Sequence, residues 1–306
     1  MDIFSMLLVV LGLVLFEVIS SIDNAVINAE VLSKMSQKAR RWFLLYGIIL
    51  AVFGVRFILP MLLLWIANPS IGVLDLFSAM FSDDPKVAEA VEQSSPFLLI
   101  AGGIFLIFLF FHWLFLEPKR FGLVGEKFIY SQGIWFYTVV SVLLLLICWY
   151  AMQINPMLAF AAVVGSTAFF IVHGFKQNAE LREKELLEGS GTSNMSDLSK
   201  LLYLEVIDAT FSIDGVIGAF AFTLFIPLIL LGNGLGALIV REMTIRNIES
   251  IKKYAFLKNG AMYSIFFLGT IMLLDSFKID IPSFVSPIIT FACIGFFFWK
   301  SKAEMK

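Results

Sequence analysis

Five carboxylates lie in stretches that are otherwise apolar: Glu17 and Asp23 near the start of the chain, and Glu205, Asp208 and Asp214 two-thirds of the way along. An ionised side chain at the centre of a bilayer costs ~2.5 kcal/mol or more, so acids placed there mark ion pathways or proton relays. Their spacing repeats. Written without a gap, Glu17-Val-Ile-Ser-Ser21-Ile22-Asp23-Asn24 lies on Asp208-Ala-Thr-Phe-Ser212-Ile213-Asp214-Gly215. Both copies read acid, three residues, Ser-Ile-Asp, then Asn or Gly, which we take as an internal repeat.

The donors in that motif are carboxylates, hydroxyls and an amide. Oxygen ligands of this kind suit hard divalent cations such as Mg, Ca and Mn, whereas Cu(I) and Zn favour sites richer in sulfur and imidazole. The two cysteines, Cys148 and Cys293, sit in other apolar stretches. The expected metal site is therefore Glu17, Ser21, Asp23, Asn24, Asp208, Ser212 and Asp214. Its four acids outweigh one divalent ion, so protons, a second cation or a basic residue must balance the rest. Arg56, in the next apolar stretch, is the candidate partner. Glu205, Asn28, Asn233 and His173 are second-rank members. Glu205 reads as a ligand, a gate or a boundary residue. Asn28 continues the stripe of Glu17, and Asn233 lies in Gly232-Asn-Gly-Leu-Gly236. His112 and His173 end their stretches, where histidine serves as a boundary residue, a proton relay or a metal-binding group. No tightly bound cofactor is expected; the cation would be cargo.

These residues need helices to hold them. At ~100° per residue Glu17, Ser21, Asn24 and Asn28 share a face, while Asp23 points ~120° away from Glu17. The same holds for Glu205, Asp208 and Ser212 against Asp214. A local break at each Ser-Ile-Asp triplet would bring the acids of a copy together, because Ser and Asn compete for backbone hydrogen bonds.

The rest of the chain sets these helices in a membrane. Of 306 residues 59% are hydrophobic and 15% charged, and the mean hydropathy is +0.91. Soluble domains carry roughly 25% charge, so the expected class is all-α, a polytopic transmembrane helical bundle. A net charge of −2 excludes a basic nucleic-acid binder. A span needs about 20 apolar residues, which gives about nine: 3–31, 41–67, 95–116, 134–152, 157–175, 198–222, 225–245, 256–275 and 282–299. Pro156 and Pro227 divide two adjacent pairs. Nineteen of the 22 lysines and arginines fall in alternate loops, leaving Lys86 and Lys278 on the other side and Arg56 inside a span. Basic loops stay in the cytoplasm, so the N-terminus is outside and the C-terminus inside. The first and sixth spans then run in opposite directions. Inverted repeats with a midplane site are a common transporter architecture.

The chain thus reads as a single membrane domain over 1–306. Its first half, 1–175, has the motif helix 3–31, and its second half, 198–299, has the motif helix 198–222. A charged cytoplasmic connector, 176–200, joins them, and its 180–188 run would prolong the fifth helix. The opening Met1-Asp2-Ile3 with Glu17 after the apolar run argues for a retained first segment over a cleaved signal. Phe108, Phe110 and Phe111 read as lipid-facing bulk, and Trp42, Trp113, Trp135, Trp149 and Trp299 as an interfacial belt.

With both motif copies in view, Glu17-x-x-x-Ser21-x-Asp23-Asn24-Ala25 and Phe211-Ser-Ile-Asp-Gly-Val-Ile-Gly-Ala-Phe220 resemble the TerC family of bacterial integral membrane proteins, named for tellurium resistance. The resemblance implies a multi-pass protein of the bacterial inner (plasma) membrane in the LysE-like transporter group, some of whose members are linked to manganese efflux. It makes Glu17, Asp23, Asn24, Asp208 and Asp214 the ion-binding residues. Gly215 departs from it, standing where better-known members carry a small polar residue. The expectation is a secondary transporter, not an enzyme, that exports a divalent cation, Mn2+ first, with the lipid bilayer and the cation as its partners and no ATP-binding fingerprint. Two rivals differ in kind: an intramembrane aspartyl protease, which also needs two acids on separate helices, and a membrane stress-resistance or assembly partner acting through 176–200.

Overall fold

The computed structural model describes residues 2–33, 35–47, 54, 56–67, 72, 85–188, 197–246 and 253–305. Of Asp23, Asn24 and Glu30 it describes the helical backbone, and their side chains lie outside the described set. The described residues contain helices and no strand: α1 (Ile3–Ser20), α2 (Ile22–Ser33), α3 (Gln37–Trp42), α4 (Arg56–Ala67), α5 (Pro85–Leu116), α6 (Glu126–Ser131), α7 (Phe136–Ile154), α8 (Pro156–Glu188), α9 (Asp197–Ala219), α10 (Ile226–Arg246), α11 (Leu257–Ser276) and α12 (Val285–Glu304). A π-helical turn, Phe43–Gly47, follows α3.

Six helical stretches are long and apolar enough to cross a membrane: Ile3–Ser20, Glu92–Leu116, Gly133–Ile154, Pro156–Asn178, Ile226–Thr244 and Leu257–Ser276. They coincide with six of the nine stretches read from sequence. The other three differ for identifiable reasons. Over 41–67 the described apolar helix, α4, has 12 residues, short of the ~20 a crossing needs. Helix α9 carries Asp197, Lys200, Glu205, Asp208 and Asp214. Helix α12 ends in Lys300, Lys302 and Glu304, so its apolar part is shorter than the helix.

Local chemistry fixes several boundaries. Asp2 caps α1 by accepting a 3.0 Å hydrogen bond from the Ser5 amide, which satisfies one of the free donors of the first turn. Asn155, extended at φ −157°, separates α7 from α8. It accepts from the Met157 amide at 2.9 Å, and Pro156 opens α8 at the position where its missing N–H costs nothing. The division expected at Pro156 is thus present, and α8 runs on through the charged residues to Glu188.

At the centre of the bundle is α5, with 78% of its span buried against 17% for α7 at the edge. It packs on α8 and α11, while α1 packs on α10 and α12. Phe105, Phe108 and Phe169 meet edge to face there, with centroids 5.9 and 5.8 Å apart, a favoured aromatic geometry. Two close approaches let α5 take this place. A Cβ at Gly165 of α8 would lie 2.1 Å from the Ala101 carbonyl oxygen, and Gly103 and Gly269 bring α5 and α11 into backbone contact. The sequence reading of the aromatic residues needs correction here. Phe108 and Phe110 are buried core, not lipid-facing bulk, and Trp113 is wholly buried whereas Trp42, Trp135, Trp149 and Trp299 are exposed. Composition cannot separate a phenylalanine facing lipid from one facing another helix, because both surroundings are apolar.

Candidate functional site

The two motif copies meet where α1 crosses α9. Glu17, in the last turn of α1, is 1% exposed and is held by the side chains of two other residues. Arg56, at the start of α4, donates to its Oε1 from Nη2 at 2.5 Å and from Nε at 3.1 Å. The Ser21 hydroxyl donates to the same oxygen at 3.0 Å. Oε2 faces Gly215 of the second copy, where a Cβ would lie 2.8 Å away. The glycine that departs from the motif therefore makes room for the acid of the other copy. On the opposite side the stem of Glu17 rests on Gly236 of α10, where a Cβ would come within 2.6 Å of the Glu17 Cβ. Gly232, one turn earlier, receives Leu13 in the same way. Small residues at this spacing let membrane helices approach closely.

The first copy is interrupted and the second is not. Ser21 stands between α1 and α2 at φ −91°, ψ 0°, a one-residue break with intact bonds on both sides, from the Ser21 amide to the Glu17 carbonyl and from the Ala25 amide to the Ser21 carbonyl. The break expected at Ser212-Ile213-Asp214 does not occur, since α9 is continuous from Asp197 to Ala219. The Ser212 hydroxyl donates at 2.7 Å to the Asp208 carbonyl of its own helix, a local bond that a continuous helix accommodates.

Asp214 forms a second ion pair. Its Oδ2 accepts from the Lys176 ammonium of α8, with side chains 15% and 11% exposed. Its Oδ1 is buried and has no hydrogen-bond partner among the described residues. Glu205 forms a third pair, accepting from Arg241 of α10 at 3.0 Å. The guanidinium of Arg241 lies 4.0 Å over the Phe43 ring. Gly47 closes this pocket, since a Cβ there would lie 1.9 Å from the Glu205 Oε1. Asp208 is part-buried, and its charge and that of Glu205 act on Arg56 alongside Glu17.

Other expected members are placed as follows. Asn233 is fully buried, and neither its oxygen nor its nitrogen has a partner among the described residues; the same is true of the Asn28 oxygen. Buried polar atoms are nearly always bonded, so such groups ask for water, an ion or a ligand. His173 lies away from the acids, with its ring centroid 3.8 Å from that of His112. Asp23 and Asn24 fall on side chains outside the described residues. Among the described residues no three His, Cys, Asp or Glu side chains converge as metal ligands.

Residues 22–306 match the family model described as "Protein of unknown function (DUF475)". The chain belongs to the DUF475 family. No curated protein and no solved structure matches it. The DUF475 match spans α2 to α12 and takes in Arg56, Lys176 and the whole second motif copy.

Two members of this network were missed in the sequence. Lys176 was read as the first residue of a solvated connector, yet it is buried in α8 against Asp214. Arg241 was counted as a loop cation and is buried against Glu205. The available signal was charge balance: buried acids require cations, and a lysine or arginine in the last turns of an apolar helix can reach inward along its stem.

Proposed function

We propose that this chain is a secondary transporter that exports a divalent metal cation, with Mn2+ the first cargo to test. The carrying observation is the Glu17 carboxylate, buried on an apolar helix, held by an internal cation and seated on the glycine of the second motif copy. Its cargo site would comprise Glu17, Ser21, Asp23 and Asn24 from one copy and Asp208, Ser212 and Asp214 from the other. Carboxylate, hydroxyl and amide oxygens fit a hard cation. The Glu17 Oε2, the Asp214 Oδ1 and the oxygens of Asn28 and Asn233 make no hydrogen bond within the described residues.

The ion pairs supply a cycle. With no cargo, Arg56 neutralises Glu17 and Lys176 neutralises Asp214. A divalent ion would displace those side chains from the same carboxylates. Each acid then meets a cation at every stage, which matters because a carboxylate left buried and alone costs several kcal/mol, about 3–5 kcal/mol when its partner is removed. Nine crossings in all, an outside N-terminus, an inside C-terminus, the inverted repeat and placement in a bacterial inner membrane belong to this proposal. The alternation of basic loops supports the orientation. The likeness of the motif to TerC proteins supports the export direction and manganese.

Metal accumulation in cells tests the reading, across Mn2+, Mg2+, Ca2+, Zn2+ and Co2+, in wild type, Glu17→Gln, Asp23→Asn and Asp214→Asn. The expected result is lowered cellular Mn2+ with wild type and no lowering with the variants at equal membrane expression. Unchanged content of every metal with wild type would overturn it.

A further inference from the structure

His112 of α5 and His173 of α8 are the chain's 2 histidines, and the fold brings their rings into contact. Their ring centroids are 3.8 Å apart at an interplanar angle of 54°. Aromatic rings wall the pair: Phe136 stands edge-on to His112 at 5.5 Å, and Phe169 stacks on His173 at 5.6 Å. His112 is 8% exposed, and its Nδ1 is buried without a hydrogen-bond partner among the described residues. The nearest charge to that nitrogen is the Glu117 carboxylate, 3.5 Å away. Glu117 is in turn held at 3.0 Å by Lys258 of α11, and its side chain is 30% exposed, so this end of the pair reaches solvent. At the other end the His173 Nε2 lies 3.0 Å from the Gln177 amide nitrogen. Lys176, one turn along α8, is within electrostatic range of His173 and is the same ammonium that holds Asp214.

We propose that His112 and His173 form a proton-binding site in which two imidazoles share one proton, and that Lys176 links its occupancy to the state of Asp214. Two positive rings at this separation repel, so the second proton binds far more weakly than the first, and the two steps belong to the pair and not to either ring. The surrounding charges set the balance: Glu117 favours the proton, while Lys176 and Lys258 oppose it, Lys258 being compensated by Glu117 and Lys176 by Asp214. The arrangement is not that of a metal chelate. Metal–nitrogen bonds are ~2.0–2.1 Å and need three or four converging ligands, and no such third ligand joins the pair among the described residues.

The coupling rests on the transport reading above. When a divalent ion takes Asp214, the ammonium of Lys176 keeps its own proton but loses the counter-charge of Asp214, and its field on His173 strengthens. One proton then leaves the pair to water at the Glu117 end. Cargo entering and a proton leaving become linked, as binding equilibria that share a site of charge must be.

The test uses full-length protein in nanodiscs, purified through a histidine-free tag and labelled with 15N-histidine, so that only two imidazoles are observed. NMR titration should show two steps, both sensed by both rings. In Glu117→Gln, which removes the carboxylate charge at the solvent end and keeps the side chain's size, the upper step should fall by about one pH unit. In His173→Gln the lower step should vanish and a single step should remain. Saturating Mn2+, which broadens nearby NMR signals and is therefore followed by proton release into weak buffer, should lower the upper step of the wild type by about one pH unit. Two rings titrating independently would overturn the shared site. Mn2+ binding, measured separately by calorimetry, that leaves the titration unmoved would overturn the coupling alone. Absence of Mn2+ binding would remove the transport reading and the coupling with it, while the two-step titration would still judge the shared proton.

Discussion

The two motif copies carry nearly the same residues and use them differently. In the first, Ser21 interrupts the helix and turns its hydroxyl onto the Glu17 carboxylate. In the second, Ser212 stays in a continuous helix and turns its hydroxyl onto the backbone of Asp208. The first acid is sealed at 1% exposure beneath Arg56, while Asp208 is only part-buried. The deep ion pair of the second copy forms one turn and a half further on, at Asp214 with Lys176. A repeat in sequence therefore does not impose a repeat in environment. The neighbours decide, and here they are α4 and α10 for one copy and α8 for the other.

Four measurements would break or sharpen this comparison, starting with the largest expected effect. Arg56→Gln leaves Glu17 buried without its cation and should destabilise the protein by about 3–5 kcal/mol. The double variant Glu17→Gln with Arg56→Gln should recover much of that loss, as read by denaturation in detergent. If Arg56→Gln proves harmless, the pair is not the structural centre of the first copy.

Next, Gly215→Ala and Gly236→Ala insert a methyl group against Glu17, at 2.8 Å and 2.6 Å respectively. Overpacking of this kind costs about 1–3 kcal/mol, and under the proposed transport function cation efflux should fall with it. Gly174→Ala, where a Cβ meets nothing within 4 Å, serves as the control and should leave both unchanged. Equal effects at all three positions would show that the close approach to Glu17 has no special role.

The serines separate the copies directly. Ser21→Ala removes a hydrogen bond to a charged oxygen and should cost about 1.5 kcal/mol or more. Ser212→Ala removes only a bond back to its own helix and should change stability by less than about 0.5 kcal/mol. A reversed order would mean that the break at Ser21 does not shape the site.

The smallest expected effect is in pH dependence. Burial alone would push the Glu117 carboxyl up, but the His112 ring 3.5 Å away and the charge of Lys258 outweigh it and hold the group at about 2 instead of 4.5. A depressed acid contributes stability that is complete above its ordinary value and is lost as pH falls through the folded one. Thermal stability should therefore decline between about pH 4.5 and 2, and Glu117→Gln should flatten that slope. An identical slope in the variant would place the acid sensitivity elsewhere.

Much of this was legible along the chain. The acids stood out because charge is rare in apolar helices, and Arg56 could be named as a partner because a buried carboxylate needs a cation nearby. Pro156 divided two helices by the stereochemistry of a single ring, and six of the nine apolar stretches are helices long enough to cross a membrane. Lys176 and Arg241 were not legible as partners, since their position at the ends of apolar runs equally describes a loop cation. The burial of Phe108, Phe110 and Trp113 was hidden for a similar reason. Hydropathy records that a side chain avoids water, and lipid and protein interior satisfy it alike.

The sequence by itself determined that the chain is helical and apolar, where its acids lie and that they repeat with a common spacing, because those properties are carried by local composition and period. Only the tertiary structure decided which cation meets which acid, that Gly215 opens space for Glu17, and that two histidines 61 positions apart meet ring against ring. Each of these depends on how one helix is placed and rotated against another. Helix rotation is set by the close packing of many side chains at once, and no single stretch of sequence carries it.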